Sequence, residues 1–213
     1  ESNVTLFENL DLTISRGKSY AITGPSGAGK SSLLMLMSGL EQPTTGHGTY
    51  VNGEHEKPLS ELRSDIGFIF QQFNLLPYLS VIDNVTLPCQ FSKIRKQQVT
   101  ESQKSLQATA QELLLRLKLP QALMDKPVTE LSIGQQQRVA AARALIGQPK
   151  IIIADEPTSA LDHNNREAFI ELLLEQANQA GSTLIFVSHD PTLEKLFTRT
   201  IDLKTVNQAK VVV

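Results

Sequence analysis

Eight consecutive residues, Gly24-Pro25-Ser26-Gly27-Ala28-Gly29-Lys30-Ser31, restrict the fold of this chain more than any other segment. They fit the pattern G-x-x-x-x-G-K-[ST], which carries meaning only where a strand delivers the chain into it and a helix carries it away. Both flanks are legible: residues 19–23 read as a strand and residues 30–39 as a helix closed by glycine. The glycines let the backbone curl until successive N–H groups point inward, and the positive end of the helix dipole adds to them, so phosphate oxygens are held by many weak donors. Lys30 is expected to reach the β- and γ-phosphates of a nucleotide, and the Ser31 hydroxyl to ligate Mg²⁺. The loop alone leaves kinases, GTPases, recombinases and transport ATPases open.

Beyond the loop, strand-like and helix-like segments alternate. Residues 10–14 and 66–70 read as strands, with the turn residues Pro43, Gly46, Gly48 and Gly53 between them. Residues 81–147 carry only helical patterns, notably 99–117 and the alanine-rich 138–145. After Pro149 the strand signals return: 151–154 is a continuous apolar run suited to a buried parallel strand, 183–187 is another, and 165–179 between them reads as a helix. Segments 200–203 and 210–213 read as edge strands. Repeated β-α-β order predicts an α/β fold with a parallel sheet, in which residues 1–80 and 148–213 form the core and about 81–147 an inserted α-helical subdomain.

The run 151–154 ends in Asp155-Glu156, which sets two acids at the carboxyl edge of the sheet, where open α/β sheets bind ligands. Asp155 fits the Mg²⁺-associated acid, and Glu156 fits a general base that polarises an attacking water. Ser188-His189-Asp190 is not a catalytic triad, because neighbours at a strand end point apart. His47, His55 and His163 are read as solvated residues of polar loops, and the charged face 93–104 as a solvated helix. A formal net charge of −2 over 213 residues gives no electrostatic footprint for nucleic acid. The lone Cys89 forms no internal disulfide, and the apolar runs are far shorter than the roughly 20 residues that cross a bilayer, so a role at a membrane requires something else to span it.

Leu131-Ser132-Ile133-Gly134-Gln135-Gln136-Gln137-Arg138 resembles the signature motif of the ABC ATPases, and the resemblance covers nearly the whole chain. Gln71, after Gly67-Phe68-Ile69-Phe70, is similar to the Q-loop, Ser159-Ala160-Leu161-Asp162 to the D-loop, and His189 to the switch histidine. The resemblance implies a P-loop NTPase with a mostly parallel core sheet, an N-terminal antiparallel β part and an inserted α-helical subdomain. It implies ATP bound by Gly24, Pro25, Ser26, Gly27, Ala28, Gly29, Lys30, Ser31 and Ser32, Mg²⁺ held by Ser31, Gln71 and Asp155, and hydrolysis by Glu156, His189 and Gln71. It further implies an ATP-bound homodimer, in which Ser132, Gly134 and Gln135 of one copy contact the ATP of the other and Asp162 communicates between them. The implied partner is an integral membrane permease, with this chain peripheral on the cytoplasmic face of the cell membrane and no nucleic acid bound.

Residues 73–85 resemble the lipoprotein-release and macrolide-export type. Phe73, Leu75, Leu76 and Tyr78 are expected either to line a groove for the permease or to pack the joint between subdomains. Two departures stand out: Ile133 replaces the first of two glycines in the signature, and no aromatic residue matches the adenine-stacking position, Phe7 reading as core. The alternative is a soluble ABC ATPase acting on nucleic acid or the ribosome, although neither a long coiled-coil insertion nor a second cassette is seen in this sequence.

Overall fold

The computed structural model describes residues 5–52 and 55–209. In chain order these form β1 (Ser19–Thr23), α1 (Lys30–Met37), β2 (Thr49–Asn52), β3 (His55–Pro58), β4 (Ile66–Ile69), α2 (Val81–Thr86), α3 (Pro88–Phe91), α4 (Lys93–Glu101), α5 (Leu106–Arg116), α6 (Ile133–Leu145), β5 (Ile151–Asp155), α7 (His163–Gln179), β6 (Thr183–Val187), β7 (Arg199–Asp202) and α8 (Leu203–Val206). Five strands make one parallel sheet in the order β4-β5-β6-β1-β7, and β2 and β3 make a separate antiparallel pair.

Successive strand side chains leave a sheet on opposite faces, and here both faces are buried. Ala21, Ile152, Ala154, Leu184 and Phe186 join the cluster that contains the alanines of α6 and Phe169 and Leu173 of α7. Ile22, Ile153, Ile185 and Val187 join the opposite cluster with Leu33 and Leu34 of α1. This explains why β5 and β6 are written as unbroken apolar runs. Leu114, Leu117, Met124 and Val128, from the helical stretch after β4, belong to the same cluster as Ala21 and Phe186. The helices and the sheet therefore share one core on that face.

Helix and sheet backbones approach closely at Gly67 of β4. A Cβ there would stand 2.2 Å from the Ala144 carbonyl oxygen and 2.9 Å from its carbon, so only glycine lets α6 lie on this strand.

Several expectations change. Residues 10–14 alternate half-buried and exposed, and Leu10, Leu12 and Ile14 pack on the α1-side cluster, but the segment belongs to neither sheet; the antiparallel part is β2 with β3. The alternation is met by an extended chain lying on the core without a hydrogen-bonded ladder. The pattern over 99–117 is two helices, because Gln103 adopts a left-handed φ of 57° and Ser105 caps α5 by accepting from the Ala108 N–H. Residues 200–203 contribute to β7, which is an edge strand, while 210–213 lie outside the described residues. His55 opens β3 and His163 opens α7, so neither lies in a loop; His47 does.

Gly67→Ala is expected to cost about 1–3 kcal/mol by overpacking backbone against backbone. Urea unfolding should show a lower midpoint with an unchanged slope, and an unchanged midpoint would contradict the packing described.

Candidate functional site

Strand register assembles the site. Ile22 of β1 pairs with Val187 of β6, Val187 pairs with Asp155 of β5, and Ala154 pairs with Ile69 of β4. Reading outward from that row, Thr23, Ser188, Glu156 and Gln71 stand at one level of the carboxyl edge, and Gly24 and His189 one residue beyond. Four stretches distant in sequence thus reach the same edge of the sheet, beside the loop.

The loop itself has the predicted backbone. Gly24, Gly27 and Gly29 take φ of 150°, 77° and 89°, values L side chains rarely adopt, and Gly29 opens α1. A Cβ on Gly29 would come within 3.0 Å of Phe7, which is half-buried against the α1-side cluster as well as against the loop. Lys30 is buried, and its Nζ donates to the carbonyls of Gly24 at 3.1 Å and Pro25 at 2.8 Å. Burial pulls its pKa below the ordinary lysine value, against the opposing pull of Glu156 and Asp155.

The two acids have different surroundings. Asp155 is buried, its carboxylate takes a hydrogen bond from the Ser31 hydroxyl, and its Oδ1 has no partner. An orphaned carboxylate oxygen next to a hydroxyl, both hard oxygen donors, fits a divalent cation such as Mg²⁺. Glu156 turns out of the strand with a left-handed φ of 44°, and its Oε1 lies 2.5 Å from His189 Nε2. A non-glycine residue in that region is a strained position of the kind found where side chains are aimed. Gln71 is exposed two residues beyond the end of β4.

The signature residues stand apart from this cluster. Ser132 caps α6 in a reciprocal box: its Oγ accepts from the Gln135 N–H at 3.4 Å, and Gln135 Oε1 accepts from the Ser132 N–H at 2.9 Å. Ser132 and Ile133 are exposed at the start of α6, whose other end, at Ala144, packs on Gly67 of β4. Among the described residues no hydrogen bond joins Ser132, Gly134 or Gln135 to residues 24–32. Asp162 caps α7 through the Asn165 N–H.

Three polar residues to which the sequence assigns no individual role hold these parts together. Gln137 Nε2 donates to the Pro157 carbonyl at 2.9 Å, joining α6 to the turn after Glu156. Arg166 donates to the Leu161 carbonyl at 3.0 Å and to Asp190 at 2.8 Å, joining the D-loop segment to the residue after His189. Arg143 donates to the carbonyls of Phe73 and Asn74. Their available signal is a polar residue one turn from a buried apolar one: Gln137 with Ala141, Arg166 with Ile170, Arg143 with Val139.

A groove of about 400 Å³ opens beside this bend, lined by Phe68, Phe70, Asn74, Phe91, Arg95 and Arg143 among others. Phe73, Leu75, Leu76 and Tyr78 are not in its lining: Phe73 is buried, Leu75 and Leu76 are half-buried, and Tyr78 is exposed elsewhere. The packing role expected for these residues holds for Phe73 and Leu75, which join the core.

The sequence profile of the ABC transporter family matches residues 7–159. The chain belongs to the ABC transporter family. It is an ATP-binding cassette ATPase with a P-loop NTPase fold. It is 39% identical over 206 residues to the lipoprotein-releasing system ATP-binding protein LolD of Bacteroides fragilis, covering 94% of this cassette and 92% of that protein. It is 39% identical over 210 residues to the macrolide export ATP-binding/permease protein MacB of Vibrio parahaemolyticus, covering 96% of the cassette but 31% of that longer chain. MJ0796 of Methanocaldococcus jannaschii, solved as a dimeric post-hydrolysis state bound to ADP and Pi, is similar with a TM-score of 0.77 and 34% identity over 93% of the cassette and 86% of that chain.

In the cassette, burial raises the Asp155 pKa above the ordinary carboxylate value; the Ser31 hydrogen bond, Lys30 and His189 oppose this, while the charge of Glu156 adds to it. The native state therefore holds the proton more tightly than the unfolded chain, so this residue's contribution to stability falls as pH rises through the raised value. Asp155→Asn is expected to raise the Tm of the ligand-free protein at pH 8, with a smaller gain near pH 4, while abolishing the extra stabilisation that Mg²⁺ adds to ATP. Thermal unfolding at both pH values checks this, and a lower Tm at pH 8 would contradict it.

Proposed function

We propose that the cassette binds MgATP through residues 24–32 and hydrolyses it with Glu156 as general base, and that two copies closing on ATP and reopening drive a membrane permease. The observation that carries this reading is the contact of Glu156 with His189 at 2.5 Å, beside the orphaned Oδ1 of Asp155 and the buried Lys30. His189 orients the Glu156 carboxylate, and Glu156 takes a proton from water as the water oxygen bonds to the γ-phosphorus. The bond from that phosphorus to the β–γ bridging oxygen breaks and ADP leaves, with Lys30 compensating charge on the phosphate oxygens. Ser31, Asp155 and Gln71 are the residues that would hold Mg²⁺, which when bound neutralises phosphate charge.

Ser132 accepts a backbone N–H within its own capping box and so keeps its hydroxyl proton to donate. With Gly134, Gln135 and the N-terminus of α6 it offers an outward anion-binding surface, suited to the phosphates held by a second copy. The dimeric form solved for MJ0796 supports this arrangement. The names of the relatives, lipoprotein release and macrolide export, support a permease partner and a place on the cytoplasmic side of the membrane. No helix among the described residues is long and apolar enough to cross a membrane. The aromatic groove beside the Gln71 segment is the surface we assign to the permease.

One experiment addresses both halves of the reading. A tagged Glu156→Gln chain, purified with ATP from solubilised membranes of the organism that encodes it, should lose hydrolysis by about 10²–10⁴-fold, keep ATP binding, and elute as a cassette dimer with an integral membrane protein. Unchanged turnover would overturn the role of Glu156, and recovery only with ribosomes or DNA would overturn the transport role.

A further inference from the structure

After Gln71 the chain makes a bend in which two consecutive non-glycine residues hold left-handed backbone, Phe73 at φ 61° and Asn74 at φ 49°. A bulky residue in that region is unfavourable, and it persists only where the surroundings over-determine it. Local bonds contribute: the Phe73 N–H donates to the Phe70 carbonyl at 2.9 Å, and the Asn74 N–H to that of Gln72 at 2.7 Å. The following stretch is gripped by buried Asn84 of α2, which accepts from the Leu76 N–H at 2.8 Å and donates to the Leu76 carbonyl at 3.0 Å.

The two left-handed residues themselves are held from outside by one side chain. Arg143, in the last turn of α6, donates from Nη1 to the Asn74 carbonyl at 2.6 Å and from Nη2 to the Phe73 carbonyl. Burial lowers the pKa of this guanidinium, and its partners are backbone carbonyls rather than a carboxylate. A planar fork can hold two adjacent carbonyls at once, which a lysine ammonium does less well. From Arg143, α6 runs back roughly 16 Å to its Ser132 cap. Arg143 and Asn74 also line the aromatic groove, so an occupant of the groove would touch the joint itself.

We propose that Arg143 is a positioning residue whose fork locks the Phe73-Asn74 bend to α6, so that Gln71 is held toward the phosphate site and moves only together with the signature helix. This rests on the Mg²⁺-holding role proposed for Gln71 above. Disturbing Arg143 therefore acts on the Mg²⁺ dependence of hydrolysis and leaves the loop of residues 24–32 able to bind nucleotide.

The test compares Arg143→Ala, Arg143→Lys and Gln71→Ala with the unmodified chain in Mg²⁺ titrations of ATP hydrolysis, alongside Mg²⁺-free binding of a fluorescent ATP analogue and Tm. Arg143→Ala is expected to raise the half-saturating Mg²⁺ and lower kcat about tenfold to a hundredfold, a cost of the size that small misplacements produce. Arg143→Lys should fall between, Gln71→Ala should shift the same Mg²⁺ dependence, and Mg²⁺-free binding should be unchanged in all three. If Arg143→Ala fails to fold, the lysine variant carries the test through the same, smaller shift. A normal Mg²⁺ dependence in the Arg143 variants with only a lower Tm, while Gln71→Ala shifts, overturns the inference and leaves the proposed function standing. A normal dependence in all of them overturns the Gln71 assignment and the inference with it.

Discussion

The register of the parallel ladders β1–β6, β6–β5 and β5–β4 is the constraint on which the site depends. Because side chains alternate faces, a slip of one residue would exchange the two apolar clusters and pull Glu156 out of step with His189. The register is held by burial on both faces: Ile22, Ile153, Ile185 and Val187 on one side, Ala21, Ile152, Ala154 and Phe186 on the other. The placing of Glu156 beside His189 and the packing of the core are thus fixed by the same hydrogen-bonded rows, and the short edge beyond Val187, Asp155 and Ile22 inherits its precision from them.

Three contacts then tie α6 to this frame. Gly67 lets α6 rest on β4, Gln137 joins α6 to the turn after Glu156, and Arg143 joins the far end of α6 to the bend after Gln71. A single helix therefore touches the signature cap, the turn after Glu156 and the groove assigned to the permease. Left-handed backbone at Phe73, Asn74 and Glu156 sits at two of these three junctions, where strain is held in place by neighbours rather than relieved.

Much of this is legible in the sequence because the chemistry demands particular residue types. Phosphate binding needs glycine where φ turns positive, so residues 24–31 announce themselves, and an apolar run ending in Asp155-Glu156 can hardly be anything but a buried strand delivering acids to an edge. Residues 10–14 misled because period-two burial reports a half-buried extended chain and cannot report whether its backbone is paired. The span 99–117 misled because a helix break at Gln103 leaves the apolar spacing nearly intact. Arg143 is not legible for a different reason: it bonds the backbone carbonyls of Phe73 and Asn74, and a backbone acceptor leaves no mark on the sequence, while Arg166 bonds the Leu161 carbonyl and a carboxylate, Asp190, that lies 24 residues away.

In the proposed dimer each ATP site is half of one copy and half of another. The most direct measurement mixes two chains, one carrying Lys30→Ala in the loop and the other Gly134→Asp in the signature, where a Cβ meets nothing nearer than Leu161 Cδ2 at 3.8 Å. Each alone should be inactive. Mixed in equal amounts they should recover ATP hydrolysis, up to about a quarter of the unmodified rate, because half the dimers are mixed and each of those holds one intact site. A mixture that stays inactive at concentrations where the unmodified chain hydrolyses ATP would contradict the account.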